Sequence, residues 1–183
     1  MKTALLVIDV QMALAHEDAA GAVRSCPEAS ENIARLLSQF RASGDKIIHV
    51  HHHGTDANDP FYPDAPGAAV QPFAAPQNDE QVIIKHVSSA FGGTTLLSDL
   101  QGAGIERVII SGATANHCAE SAARSASSLG FDMVYASDAV WAYEATGPDG
   151  VTHSAEQIHS VTLANLHGEF GAVQSTDEIL ATA

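Results

Sequence analysis

The alternation of short apolar runs with helical segments constrains this chain more than any single residue does. Six runs read as strands, most of them buried on both faces: Ala4 to Val10, Lys46 to His51, Gln81 to Lys85, Arg107 to Ser111, Asp132 to Ala136 and Ala172 to Gln174. Helical patterns lie between them. In Pro27 to Ala42, residues Ile33, Leu36, Leu37 and Phe40 recur at helical spacing before Gly44 stops the pattern. Thr94 to Gln101 carries Leu96, Leu97 and Leu100, Asn116 to Leu129 is rich in Ala and stops at Gly130, and His153 to Leu166 carries Ile158, Val161 and Leu163. This order predicts a doubly wound α/β fold, a three-layer sandwich around a mostly parallel six-stranded sheet.

A chain of 183 residues with no linker-like stretch and no internal repeat is expected to form a single domain over residues 1–183. With 22 acidic against 8 basic residues, the net charge of −14 leaves no basic surface to neutralise phosphates, so neither nucleic acid nor an anionic membrane is an expected partner. The first apolar run stops at Asp9, short of the roughly 20 residues of a membrane span, and no signal peptide is read. Only Cys26 and Cys118 occur, which is too few for a disulfide scaffold and points to a reduced, cytoplasmic protein.

In such a sheet, ligands gather beyond the carboxyl ends of the strands. The residues there are Asp9 and Gln11, then His51 to His53, Lys85, Gly112 to Cys118, and last Asp138 and Trp141. Common motifs fail first. Gly102 and Gly104 precede a strand instead of following one, and Arg107 stands where a dinucleotide fingerprint needs a third glycine. No phosphate loop and no GxSxG elbow is present.

Asp9, Lys85 and Cys118 remain, at the ends of three different strands. A cysteine in the first turn of a helix is helped to ionise by the helix N-terminus, and the thiolate is the nucleophile. An ammonium from Lys85 would hold a thiolate or a developing oxyanion, and a carboxylate from Asp9 would move the thiol proton. Each residue also has an ordinary reading: Asp9 as a cap, Lys85 as a solvated strand end, Cys118 as a small buried hydrophobe.

The segments Leu5-Leu6-Val7-Ile8-Asp9-Val10-Gln11, Lys85-His86-Val87-Ser88-Ser89-Ala90-Phe91 and Gly112-Ala113-Thr114-Ala115-Asn116-His117-Cys118, followed by Asp138-Ala139 and Gly168-Glu169-Phe170, resemble the isochorismatase-like cysteine hydrolase superfamily, which includes nicotinamidases and other amidohydrolases. The resemblance spans nearly the whole chain. It implies Asp9 as general base and acid, Lys85 as orienting cation and Cys118 as nucleophile. By the same resemblance, the N–H groups of Ala115 and Cys118 form an oxyanion hole and a non-proline cis peptide joins Thr114 to Ala115. Ala115 stands where a threonine is frequent, so no hydroxyl can act there. The implied chemistry is hydrolysis of a small amide, lactam or related C–N bond through a thioester.

His49, His51, His52 and His53 invite a zinc reading, because nicotinamidases hold a metal near this point. Those enzymes use an Asp-x-His pair, whereas Asp56 lies on the far side of the cluster here, so no metal or other cofactor is expected. Strand alternation puts His49, His51 and His53 on one face and His52 on the other. Gln11, His51, Phe91, His117 and Trp141, with Tyr143 beside them, are the expected substrate contacts, although Gln11 reads equally as a buried amide and Phe91 as core. Gly54 to Pro76 is long enough for a lid or an interface arm. Cys26, before Pro27, is given no catalytic role. A small-molecule substrate and a homo-oligomer, dimer or tetramer, are expected. Two other readings stand beside the amidohydrolase: an isochorismatase-type vinyl ether hydrolase, and a small-molecule-binding protein with a redox-sensing thiol.

Overall fold

The computed structural model describes residues 1–182. Six strands form one sheet: β1 (Thr3–Ile8), β2 (Lys46–His52), β3 (Gln81–Lys85), β4 (Arg107–Ala113), β5 (Asp132–Trp141) and, after a small antiparallel pair β6 (Ala145–Thr146) and β7 (Thr152–His153), β8 (Ala172–Gln174). The order is β3-β2-β1-β4-β5-β8, and every pairing is parallel. Each predicted strand is present. The sheet is wholly parallel where a mostly parallel one was expected.

Alternate residues of each strand feed the two faces. Leu6, Ile8, Ile48, Val50, Ile83, Val108 and Ile110 join one buried cluster. Against it pack α3 (Leu96–Gly102), α4 (Glu120–Ser128) and α5 (Ala155–Leu166), through residues such as Leu100, Ala122, Ala126 and Leu166. Leu5, Val7, Ile47, Ile109 and Val134 join the other, facing α2 (Ala29–Ser43) and α6 (Thr176–Thr182). Helix α2 shows why the pattern was legible: Ile33, Leu36, Leu37 and Phe40 form one buried stripe, and Gly44 closes the helix at φ 77°, a left-handed conformation that glycine adopts without strain. Two faces covered by helices give the three-layer sandwich.

Two helices escaped the sequence pattern. In α1 (Met12–Ala19) only Ala13 and Leu14 are buried, and in α6 only Thr176 and Ile179, too few positions to establish a period. Strand β5 also runs farther than expected. Its pairing with β4 is interrupted after Ile110, opposite Tyr135, and resumes at Gly112 and Ala113, opposite Val140 and Trp141. An irregularity inside a strand breaks the period-2 signal, so the run appeared to end at Ala136.

The fold reverses direction between β1 and β4, with β2 and β3 on one side and β5 and β8 on the other. Their carboxyl ends must lie close together. At Gly112 (φ 108°) a Cβ atom would sit 2.1 Å from the carbonyl oxygen of Ile8, so only glycine lets β4 approach β1 here.

Candidate active site

At the reversal point the chain leaves β1 through Asp9, whose φ of 50° is an uncommon conformation for a residue with a side chain. The turn is held by the Asp9 N–H donating to Val50 O at 2.8 Å and the Gln11 N–H donating to Asp9 O at 2.8 Å. Lys85 comes from the end of β3, two strands away. Its side chain is fully buried, and its Nζ lies 2.8 Å from Asp9 Oδ2 and 3.3 Å from Cys118 Sγ. Three residues far apart in sequence therefore meet at one point, as the strand-end reasoning expected.

Cys118 is held differently from the expectation. It does not lie in the first turn of an α-helix but in a wide, π-type turn over Ala115–Ala119 that precedes α4. Tyr135 donates its hydroxyl to Ala115 O at 2.8 Å and pins the turn to β5. The non-proline cis peptide joins Ala113 to Thr114, one bond earlier than the expected Thr114–Ala115.

Burial decides the electrostatics. It raises the Asp9 carboxyl above the ordinary carboxylate range, against the pull of Lys85. Burial, and then the negative charge of Asp9, push the Cys118 thiol up to about 12, while Lys85 opposes them. The resting group at neutral pH is thus the thiol, and not the thiolate that a helix N-terminus alone would favour. Asp9 Oδ1 is buried without a hydrogen-bond partner, an acceptor available for the thiol proton.

Asp9 and Cys118 open into a cavity of about 200 Å³ that is also lined by Leu14, His52, Phe61, Ala113, Thr114 and His117. His117 is on this wall as expected, with Nδ1 3.0 Å from Thr114 Oγ1 and Nε2 3.3 Å from Asn116 Nδ2. The other expected contacts lie elsewhere. Trp141 continues the extended β5 into the α2-side core, fully buried, with Arg24 over its ring and its indole N–H donating to Tyr143 Oη. Tyr143 in turn donates to Asp18, away from the cavity. Phe91 stacks with Phe131 beside the opposite core, 6.3 Å between centroids. Gln11 is a buried amide: its Oε1 accepts from the His52 N–H and its Nε2 donates to the carbonyls of His52 and Ala68.

His51 does not line the cavity either. On β2 it shares the α2-side face with His49, their rings edge to face at 6.3 Å, and it is His52, opposite Lys85 in register, that turns inward. The alternation rule had already separated His52 from its neighbours. The segment over residues 54–76 supplies Phe61 to the wall and is tied to β1 and α1 by Gln71 N donating to Val10 O and Met12 N to Ala69 O. Leu14 and Phe61 carried no motif, Thr114 lay within the Gly112–Cys118 run without being singled out as a substrate contact, and length alone had marked the segment that holds Phe61.

The histidines do not fit a shared metal. His49 Nε2 is occupied by Glu80 at 2.9 Å on one face of the sheet, and His52 Nδ1 faces the Lys85 ammonium on the other, which would repel a cation. Among the described residues, no three His, Cys, Asp or Glu side chains form a metal-binding group. No helix among them is long and apolar enough to cross a membrane.

The Isochorismatase domain model matches residues 3–178. The isochorismatase family protein YrdC of Bacillus subtilis (strain 168) is 34% identical over 179 residues, which cover 98% of this chain and 95% of that protein. Streptothricin hydrolase of Streptomyces noursei is 30% identical over 148 residues, 77% of this chain and 50% of that one. Among solved structures, an isochorismatase-family structure from Chromobacterium violaceum superposes with a TM-score of 0.94 at 35% identity, covering 98% and 92% of the two chains. A cysteine hydrolase from Pseudomonas syringae pv. phaseolicola gives 0.89 at 25% identity, covering 98% and 91%.

Proposed function

The chain belongs to the isochorismatase family, and we propose that, as a cysteine hydrolase of that family, it cleaves a C–N bond of a small amide, lactam or related acyl compound through a thioester on Cys118. The observation that carries this reading is the convergence of Lys85 Nζ on Asp9 Oδ2 and Cys118 Sγ, two groups on the wall of one cavity. Asp9 accepts the thiol proton as Sγ bonds to the acyl carbon, so the thiolate forms only as it is used. The electron pair of the carbonyl moves to its oxygen, where the N–H of Cys118, on the cavity wall, is the donor; Ala115, which the resemblance implied beside it, is fully buried and does not line the cavity. When the carbonyl reforms, the C–N bond breaks and the amine departs with the proton that Asp9 held. Water then attacks the thioester, giving its proton to Asp9, and collapse releases the carboxylic acid and returns the proton to Sγ. Lys85 stays charged throughout and balances the anion as it moves from Asp9 toward sulfur and oxygen.

The seat of Cys118 on the wall of a cavity it shares with Asp9, with Lys85 in contact with both, favours this reading over a sensing thiol, which needs no carboxylate placed to move its proton. The retained thiol and its contact with Lys85 favour it over vinyl ether hydrolysis, which does not need a thiol. Streptothricin hydrolase, a relative by sequence, is in keeping with hydrolytic chemistry. The test is a screen of small primary amides, ureas, carbamoyl compounds and lactams for release of ammonia or acid. Wild type should turn over at least one class and Cys118→Ala none; equal rates for the two proteins would refute the covalent route.

A further inference from the structure

We propose that His52 selects the substrate, by presenting its Nε2–H group to an acceptor oxygen on the non-reacting part of the molecule, an inference that rests on the hydrolase reading above and concerns the same cavity. His52 ends β2 directly opposite Lys85 in register, and its ring lines the cavity. An ammonium has only protons to give. Lys85 directs its own toward Asp9 Oδ2 at 2.8 Å, Cys118 Sγ at 3.3 Å and, in a longer contact, His52 Nδ1 at 3.4 Å. A proton on Nδ1 would set N–H against N–H, so Nδ1 carries the lone pair and the imidazole proton is on Nε2. Burial and the Lys85 charge both hold the ring neutral.

Nε2 has no hydrogen-bond partner among the described residues, and Asp9 Oδ1 on the same wall, also without one, can accept a proton but not donate one to a substrate oxygen. Lys85 serves Asp9 and Cys118, and Thr114 is paired with His117. His159, by contrast, has both nitrogens occupied, by Ser25 and the Ser137 carbonyl, and the unpartnered Nδ1 of His49 is buried away from the cavity.

His52 is also prevented from moving away. The buried Gln11 amide accepts from its N–H at 2.8 Å and donates to its carbonyl at 2.9 Å, and Phe61 braces the ring edge to face at 5.6 Å. Gln11 is thus a positioning residue. A donor fixed at backbone and ring needs little further ordering when it binds. With Leu14, Phe61 and Ala113 as the apolar wall and a volume of about 200 Å³, the fitting class is a ring-sized amide carrying a second carbonyl or carboxylate oxygen away from the scissile bond.

The test uses cyclohexanecarboxamide and its 3-oxo and 4-oxo analogues, which differ little in size but add an acceptor oxygen. Binding is measured by calorimetry to Cys118→Ala protein carrying His52, His52→Leu or His52→Gln, and hydrolysis by ammonia release with Cys118 intact. With His52 present, at least one oxo analogue should bind about tenfold more tightly than the parent. His52→Leu should erase that preference, and His52→Gln, which keeps an N–H near the position of Nε2, should restore most of it. In hydrolysis the change should fall on KM, with kcat within about threefold. A preference lost in His52→Leu without hydrolysis of any of the three would support the binding role of His52, the hydrolase reading being tested separately by the screen with Cys118→Ala. Equal binding of parent and analogues, a preference that survives His52→Leu, or binding of none of the three would overturn the role of His52.

Discussion

The ammonium of Lys85 stands 2.8 Å from the carboxylate of Asp9, with neither side chain exposing more than 5% of its surface. Removing one member of a buried pair leaves the other charge uncompensated, at a cost of about 3–5 kcal/mol. Lys85→Met should therefore lose about 3 kcal/mol in urea unfolding at pH 7 and lose hydrolysis. Burial already raises Asp9 above its ordinary value of 3.8, and without Lys85 it rises further. The stability contributed by a group with a raised folded pKa is full below its unfolded value and is lost as pH rises through the folded one. The deficit of the variant should then shrink as pH falls toward 4, and a deficit that stays constant from pH 7 to 4 would contradict the pairing.

Asp9 and Lys85 act on Cys118 in opposite senses. After burial, Asp9 is the group that raises the thiol, and Lys85 lowers it. At pH 8, alkylation of Cys118 by iodoacetamide, followed by peptide mass, should be about tenfold faster in Asp9→Asn and slower in Lys85→Met, although both variants lose hydrolysis. Slower alkylation in Asp9→Asn would mean that Asp9 already holds the thiol proton at rest.

Acid should unfold the protein in two windows. Glu80 accepts from Arg41 at 2.7 and 2.9 Å, from the Gln77 N–H and from His49, and Arg41 above all holds it down to about 2. Its stabilisation is present above the ordinary 4.5 and fades as pH falls toward 2. His51 is pushed down to about 4 by burial, with His49 and His53 adding to it, so protonation favours the unfolded chain as pH falls from 6.5 toward 4. His51→Asn should flatten the upper window. Glu80→Gln should cost about 2 kcal/mol at pH 7 and flatten the lower one. Unchanged pH profiles in both variants would remove these assignments.

Two phenylalanines separate wall from core. Phe61→Leu should raise KM several-fold with little loss of stability, because Phe61 faces the cavity and braces His52. Phe91→Leu should leave KM unchanged and cost about 1 kcal/mol, because Phe91 packs on Phe131. The reverse pattern, read from steady-state kinetics and urea unfolding, would return Phe91 to the wall.

That contrast marks how far the sequence could be read. Asp9, Lys85 and Cys118 were legible because parallel strands deliver their carboxyl ends to one side of the sheet, whatever the loops do. His52 was separable from His51 by strand alternation, but which face held the site depended on the helices that cover it. Trp141 was misplaced because an irregularity hid the rest of β5, and Phe91 because a strand end reports nearness to the crevice and not direction. Phe61 enters from a segment without period or motif, so only the folded chain reveals it.

The thioester on Cys118 is tested most directly by acid-quenching the enzyme during turnover of the best amide or lactam from the screen and weighing the peptide that contains Cys118. The acyl fragment of that substrate should appear on Cys118 within the first turnovers, decay at the rate of acid release, and be absent from Cys118→Ala. Steady release of ammonia or acid from a protein whose Cys118 never gains mass, and equally from Cys118→Ala, would contradict it.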